Sequence, residues 1–210
     1  AVNSGTITGT TKLYQARFNS GDWTGQLLGF PINLDGSLAT VAWDAADLIP
    51  AANDRKIITF DGTDGQPFRW ANITAGQQTS LSSEATLNYL RGDQSGEATN
   101  GGTFRNRNSI LGDIVNSSPS YVGAPYLRYP DNWGSGEDEN SVLYSAFKST
   151  HSSRQDLIYV GSNDGLLHAF NADTGVEQFA YVPLSIYNDL ADVADINYNH
   201  QYLVDGSATV

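Results

Sequence analysis

The stretch Leu157–Pro183, LIYVGSNDGLLHAFNADTGVEQFAYVP, constrains this chain more than any other. Leu157-Ile158-Tyr159-Val160 is β-branched and aromatic and is bounded by Gly161, so it reads as a strand. Asn163-Asp164-Gly165 supplies a turn, because Asp-Gly tolerates the positive φ angles that hairpins need. Leu166–Phe170 is a second strand, and Asn171–Gly175 a second turn in which Gly175 takes a left-handed conformation. Gln178–Val182 is a third strand, ended by Pro183, which cannot donate to a ladder. Three antiparallel strands in so little sequence make most of one blade of a repeated all-β array.

Two internal echoes support a repeat. Val115-Asn116-Ser117-Ser118-Pro119-Ser120 parallels Val204-Asp205-Gly206-Ser207-Ala208-Thr209, and Gly25–Phe30 (GQLLGF) parallels Gly165–Phe170 (GLLHAF). Each echo sets an apolar strand beside the same turn chemistry. Ala169–Phe179 resembles the quinoprotein-type propeller motif A-x-D-x-x-T-G-x-x-x-W. Ala169, Thr174 and Gly175 match, Asn171 replaces Asp, and Phe179 replaces the Trp that docks on a neighbouring blade. More widely, GDIVNSSPSYVGAP, YVGSNDGLLHAFNADTG and YLVDGSATV, in that order, resemble the C-terminal propeller of the PilC/PilY family of type IV pilus tip-associated proteins. YQARFNSGDWTGQLLGFPI and FRWANI are also similar to that family. The expected fold is therefore all-β, a partial β-propeller of quinoprotein-like blades with short helical insertions. It is expected over 1–210 as part of a longer chain.

The rest of the chain reads as short strands and glycine turns. Strands are expected over Leu13–Phe18, Gln26–Ile32, Arg55–Phe60, Pro67–Trp70 and within Ile110–Val122. Asp35-Gly36 marks a hairpin loop, and Asp61–Gly65 a turn. Asp44 caps a helical turn over Ala45–Ile49 that Pro50 ends. Ser82–Leu90 is a helix capped by Ser82 or Ser83, with Leu87 and Leu90 on one face. Asp93–Asn108 has the composition of a mobile loop, so about 80–108 is an insertion. About 124–155 is a long loop with an acidic tip, Glu137-Asp138-Glu139, and a short helix over Ser141–Lys148. Ile186–Ala194 is another short helix, and Tyr202–Val210 a last strand. A propeller closes with about 4–8 blades, and 210 residues hold about two to four at ~40–50 residues each. Such an array exposes edges and faces. The abrupt start at Ala1-Val2-Asn3 and the apolar run at Val210 mark a piece of a longer protein. The last strand is then expected to pair poorly here and to join a blade from missing sequence, so the isolated piece associates or aggregates.

With 23 acidic and 11 basic residues, the formal charge is −12. No basic surface is available to neutralise phosphates, which argues against nucleic acid. There is no cysteine, hence no disulfide framework and no thiolate metal site. No apolar run is long enough to cross a membrane.

Candidate sites are sparse. Asp61 and Asp64 offer oxygens to calcium, but D-G-T-D-G-Q lacks the alternating ligands and closing Glu of a calcium loop, and an ordinary turn explains it. The family carries a D-x-D-x-D-G calcium loop in its propeller. No such run exists here, so no metal residue is assigned, and calcium is left to the rest of the parent. Asp131, Trp133 and Glu137-Asp138-Glu139 form a cation site, an adhesive tip or a solvated loop. Arg105 and Arg107 either meet an acidic partner or satisfy local carbonyls and carboxylates. Of His151, His168 and His200, His168 alternates with Leu166 and Phe170 and is expected inside the blade with a hydrogen-bonded ring. Trp23, Trp43, Trp70 and Trp133 read as packing residues rather than a substrate platform. No nucleophile elbow, phosphate loop or zinc-ligand pair is present, so no catalytic or cofactor residue is assigned.

The resemblance implies a non-enzymatic module at the pilus tip, exported to the cell surface and associated with the outer membrane. Its implied role is pilus assembly and extension, twitching motility, and attachment to surfaces or host cells. Its implied partners are minor pilins, host or surface ligands and the remainder of the propeller. Two alternatives are carried beside it. One is a fragment of a quinoprotein dehydrogenase binding pyrroloquinoline quinone, and the other is the propeller of an outer-membrane assembly scaffold.

Overall fold

A computed structural model of the chain describes residue 8 and residues 10–209. Among them, nine strands form two sheets. The first sheet has β1 (Lys12–Asn19), β2 (Thr24–Pro31) and β3 (Trp43–Asp44), antiparallel and in that spatial order. The Asp35-Gly36 loop behaves as its chemistry requires. Gly36 takes φ 86°, and the Asp35 carboxylate accepts from Ser37 N at 2.9 Å.

The second sheet holds β4 (Ile57–Phe60), β5 (Gly65–Pro67), β6 (Ser120–Val122), β7 (Leu157–Ser162), β8 (Leu166–Asn171) and β9 (Glu177–Val182). Its order is β5-β4-β9-β8-β7-β6, and β4 runs parallel to β9 while all other neighbours are antiparallel. The stretch from β7 to β9 is the expected three-stranded unit. Gly165 and Gly175 sit at φ 90° and 76°. The Asn171 amide oxygen accepts from Asp173 N and Thr174 N, both at 2.8 Å. Asn171 thus performs the turn-holding task that a carboxylate performs in the motif.

Among the described residues, one face of the larger sheet is packed as core, and the other is largely open apart from Ala169 and the approach of Val204 to Gly161. Ile158, Val160 and Phe170 pack on the first sheet through Tyr14, Leu27, Trp43, Leu111 and Ile114. Further out on the same face, Ile57, Ala180 and Val182 meet α1 (Ala75–Leu81), α2 (Glu84–Leu90) and a 3-10 turn at Leu190–Ala194. Burying such side chains contributes about 1.5–3 kcal/mol each, which ties blade and helices together.

Several boundaries differ from the sequence reading. The strand expected at Pro67–Trp70 lies earlier, at Gly65–Pro67, because Phe68 turns into the core, fully buried. Of Ile110–Val122, only Ser120–Val122 joins a sheet as a strand; Leu111 and Ile114 are spent on the seam instead. The helix expected from Ser82 starts at Glu84. Ser83 caps it by accepting from Thr86 N, while Ser82 closes the preceding helix α1 at φ 65°. Helix α1 has a capping box between Thr74 and Gln77 that the sequence reading missed. Asp93–Asn108 is not a free loop, since Glu97 is 2% exposed and its carboxylate takes Arg107 Nε at 2.9 Å. The expected helix at Ser141–Lys148 is a 3-10 turn at Asp138–Ser141 followed by α3 (Tyr144–Thr150). Ile186–Ala194 holds the end of one 3-10 turn and the whole of another instead of an α-helix. Residues 202–209 form no strand. They lie along 116–120, held by Asp205 to Asn116 N at 3.0 Å, Ser207 Oγ to Ser118 N at 2.8 Å and Ser120 Oγ to Ala208 O at 2.8 Å. Ala1-Val2-Asn3 and Val210 lie outside the described residues.

Candidate interaction surface

The seam between the sheets turns on one indole. Trp43 sits 7% exposed between Gly29, its partner across β2–β3, and Gly175 of the second sheet. A Cβ on Gly29 would fall 2.3 Å from the indole, and one on Gly175 would fall 2.7 Å from it. Only glycine allows either approach. Tyr14 completes the seam. It stacks on Trp43 at 5.8 Å and donates from its hydroxyl to Ala172 O at 3.2 Å. At this seam the docking aromatic is a tryptophan, Trp43, set against the Gly175 turn of the larger sheet.

Behind the seam lies a closed ionic cluster. Glu177 accepts from Arg55 Nε and Nη2, both at 2.7 Å, and contacts His168 Nδ1 at 2.8 Å; His168 Nε2 faces Asp164 at 3.1 Å. Burial alone would push His168 down, but Asp164 and then Glu177 outweigh it and raise its pKa to about 9. Burial would likewise raise Glu177, yet His168 and Arg55 lower it to about 2. His168 is 0% exposed, as its alternation with Leu166 and Phe170 implied. Two cations and two carboxylates, with Arg55, His168 and Glu177 buried and the Asp164 side chain 12% exposed, tie the entry to β4 to β8 and β9. Arg91, also buried, donates to Phe68 O, Ala52 O and Arg55 O. Neither Arg55 nor Arg91 carried a local signal, because their partners are remote in sequence.

The remaining candidates separate. Asp61 spends its oxygens on Thr63 N and Asp64 N, both at 2.7 Å, and on Gln66 at 3.0 Å, and these bonds hold its pKa low. It is the turn that the plainer reading described. Arg107 bonds Glu97, Tyr89 O and Asp93 O and lies 3.5 Å above the Tyr89 ring, and Arg105 covers Tyr198 at 4.2 Å. Both arginines therefore act locally. His200 stacks on Trp23 at 3.6 Å and meets Asp113 at 2.9 Å, whereas His151 lies apart, against Phe147 at 4.5 Å. Trp70 packs beside the helical core. Among the described residues, no group of three or more His, Asp or Glu is placed to hold a metal ion.

What stands outward is the arm 123–156. It leaves the sheet at Val122 and returns at Leu157, two residues paired across β6–β7, so its base is clamped. Arg154 donates to Gly123 O across that base. Asp131 accepts from Ser145 N at 2.8 Å, and Asn140 from Trp133 N at 2.9 Å. An aromatic row runs Trp133–Tyr129–Tyr144–Phe147–His151 with centroids 4.5–6.2 Å apart. Tyr126 is 80% exposed, and Tyr129, Trp133, Val142 and Phe147 are also open. A cleft of about 250 Å³ opens between Tyr121, Pro125, Tyr126, Tyr144 and Phe147. The tip of the arm carries Glu137 and Asp138, both exposed.

Largely antiparallel sheets docked face to face through an indole set between glycines are the arrangement of β-propeller blades. Residues 111–210 match the family of the PilY1 beta-propeller domain. The chain is 41% identical over 198 residues to the type IV pilus biogenesis factor PilY1 homolog of Xylella fastidiosa (strain Temecula1), covering 93% of this chain and 16% of that protein. It is 36% identical over 222 residues to the type IV pilus biogenesis factor PilY1 of Pseudomonas aeruginosa (strain UCBPP-PA14), covering 94% of this chain and 18% of that protein. By sequence the chain is thus similar to the PilY1 proteins, and over residues 111–210 to their propeller domain. It spans less than a fifth of the length of these relatives. No solved structure gives a significant match.

Proposed function

We propose that this chain is a non-enzymatic part of the propeller of a type IV pilus biogenesis protein. It supports pilus assembly and extension and attachment to surfaces or host cells from an exported position at the pilus tip. The arm 123–156 supports this reading most directly. It sets exposed aromatic rings and an acidic tip on a clamped base, which is how a rigid scaffold presents a contact loop. Minor pilins or surface ligands are the partners in this reading, and no cofactor is assigned within the chain. Any calcium is left to the rest of the protein. The relatives named above are pilus biogenesis factors.

The test replaces residues 126–150 by a short Gly-Ser linker in the complete gene. Pili are then counted by electron microscopy and attached cells by surface assay. Retained pili with lost attachment is the expected outcome. Unchanged attachment removes the arm from the function, and loss of pili assigns it to assembly instead.

A further inference from the structure

Two cations close on the backbone of one wall of the arm's cleft. That wall is the run 123–127, which faces Tyr144 and Phe147 across an opening of about 250 Å³. Arg154 also lines the cleft. It donates from Nε to Gly123 O at 2.9 Å and from Nη2 to the same oxygen. Lys148 Nζ donates to Leu127 O at 3.4 Å, at the other end of the run. Gly123 O thus occupies one edge of the planar guanidinium. The terminal edge, Nη1 with the second hydrogen of Nη2, has no hydrogen-bond partner among the described residues.

The arm's own carboxylates do not serve that edge. No Asp or Glu lines the cleft, so the acidic tip stays out of it. Asp156, close to Arg154 in sequence, accepts from the Tyr121 hydroxyl. Burial and this bond both raise the Tyr121 pKa, so the phenol keeps its proton and goes on donating.

The rest of the cleft is built of open rings. Tyr126 is 80% and Phe147 43% exposed, and Tyr144 stacks on Phe147 at 5.8 Å. Apolar surface left open in this way marks a contact site. Size narrows what fits. Pockets for whole small-molecule ligands span about 300–1,000 Å³, and this cleft lies below that range, with room for one large side chain. Charge narrows it further. The chain carries a formal −12 and repels a strongly acidic segment, yet the guanidinium edge calls for an anion. The last residue of a polypeptide meets both demands, because its side chain and a single carboxylate leave the same carbon.

We infer that the arm's cleft captures the C-terminus of a partner protein. An aromatic or leucine side chain enters between Tyr126, Tyr144 and Phe147, and the α-carboxylate takes the terminal edge of Arg154 in a paired, charge-assisted contact. The inference rests on the reading of the arm as a contact loop and adds the chemistry of what it holds.

Fluorescence anisotropy tests it, with the whole gene product and labelled Gly-Ser peptides that end in phenylalanine. The free acid is expected to bind about tenfold tighter than the C-terminal amide, which cannot form the charged pair. Arg154→Gln is expected to bring the acid down to the amide's affinity and to leave the amide unchanged, while Phe147→Ala weakens both alike. Equal binding of acid and amide by the parent, or binding of neither, overturns the inference. A loss of amide binding in Arg154→Gln overturns it too, because the arginine then only braces the arm. An amide peptide with glutamate before its phenylalanine that matches the free acid overturns it in favour of an internal acidic segment. The linker replacement of residues 126–150 reports separately. Unchanged pili and attachment remove the arm from the cellular function and leave the acid-to-amide ratio standing. A ratio near one leaves the arm as a contact loop and removes only the carboxylate capture.

Discussion

Trp43 and Phe179 occupy corresponding places in two sheets of one design, yet one is 7% exposed and the other half-open. The difference lies in the neighbour across the interface. Trp43 faces Gly175, which leaves its turn at φ 76° and clears room for the indole. Phe179 faces no sheet among the described residues. A β-strand places its side chains by parity, but whether a face becomes core depends on a partner that the strand does not encode.

The comparison is broken most severely at the seam. Trp43→Ala is expected to cost about 3–5 kcal/mol, since it empties the contact between the sheets. Urea unfolding checks it, and a loss below about 1 kcal/mol would mean that the sheets are not held there. Glu177→Ala tests the cluster behind the seam. Removing Glu177 leaves the buried Arg55 without its carboxylate and His168 with Asp164 alone, at a cost of about 3–5 kcal/mol. A variant as stable as the parent would show that the cluster is hydrated.

Gly175→Val should destabilise by roughly 2 kcal/mol or more, through positive φ and the clash with Trp43. Combined with Trp43→Ala, its cost should shrink, because the clash is gone. Denaturant melts of the four proteins in that cycle decide it, and strict additivity would separate the glycine from the indole.

The cluster also gives a pH profile. The pKa of His168 rises from 6.5 to about 9 on folding, so its contribution is complete below pH 6.5 and is lost as pH climbs through about 9. The pKa of Glu177 falls from 4.5 to about 2, so its contribution is complete above pH 4.5 and is lost as pH drops through about 2. Both are complete between pH 4.5 and 6.5. Melting midpoints should fall from pH 6.5 to 9.5 in the parent and lose that slope in His168→Gln.

The smallest effect belongs to the open face. Phe179→Ala should cost under about 1 kcal/mol in this chain, because the half-exposed ring loses little burial. A cost equal to that of Trp43→Ala, by the same urea assay, would show that the two faces are equivalent already.

The strands from β7 to β9 were legible because their information is local. Asp164-Gly165 and Asn171–Gly175 dictate turns within a few residues, and strand parity put His168 on the side of Leu166 and Phe170. The helix α1 was not legible, since AGQQTSL has little apolar period and only the Thr74–Gln77 capping box marks its start. The arm was visible as a long loop with an acidic tip, but its aromatic row depends on side chains up to 18 residues apart, from Trp133 to His151, converging on α3.

Turn chemistry, strand parity and the two echoes therefore belong to the amino-acid order itself, because each is settled by contacts a few residues long. Their placement belongs to the folded chain. Arg55 reaches Glu177 and Trp43 reaches Gly175 across more than a hundred positions, and no local preference states which distant residue closes a loop of that length. The parallel pairing of β4 with β9 is of the same kind, since Ile57 pairs with Ala180 from a distant part of the chain on a face that the helices of residues 75–90 cover.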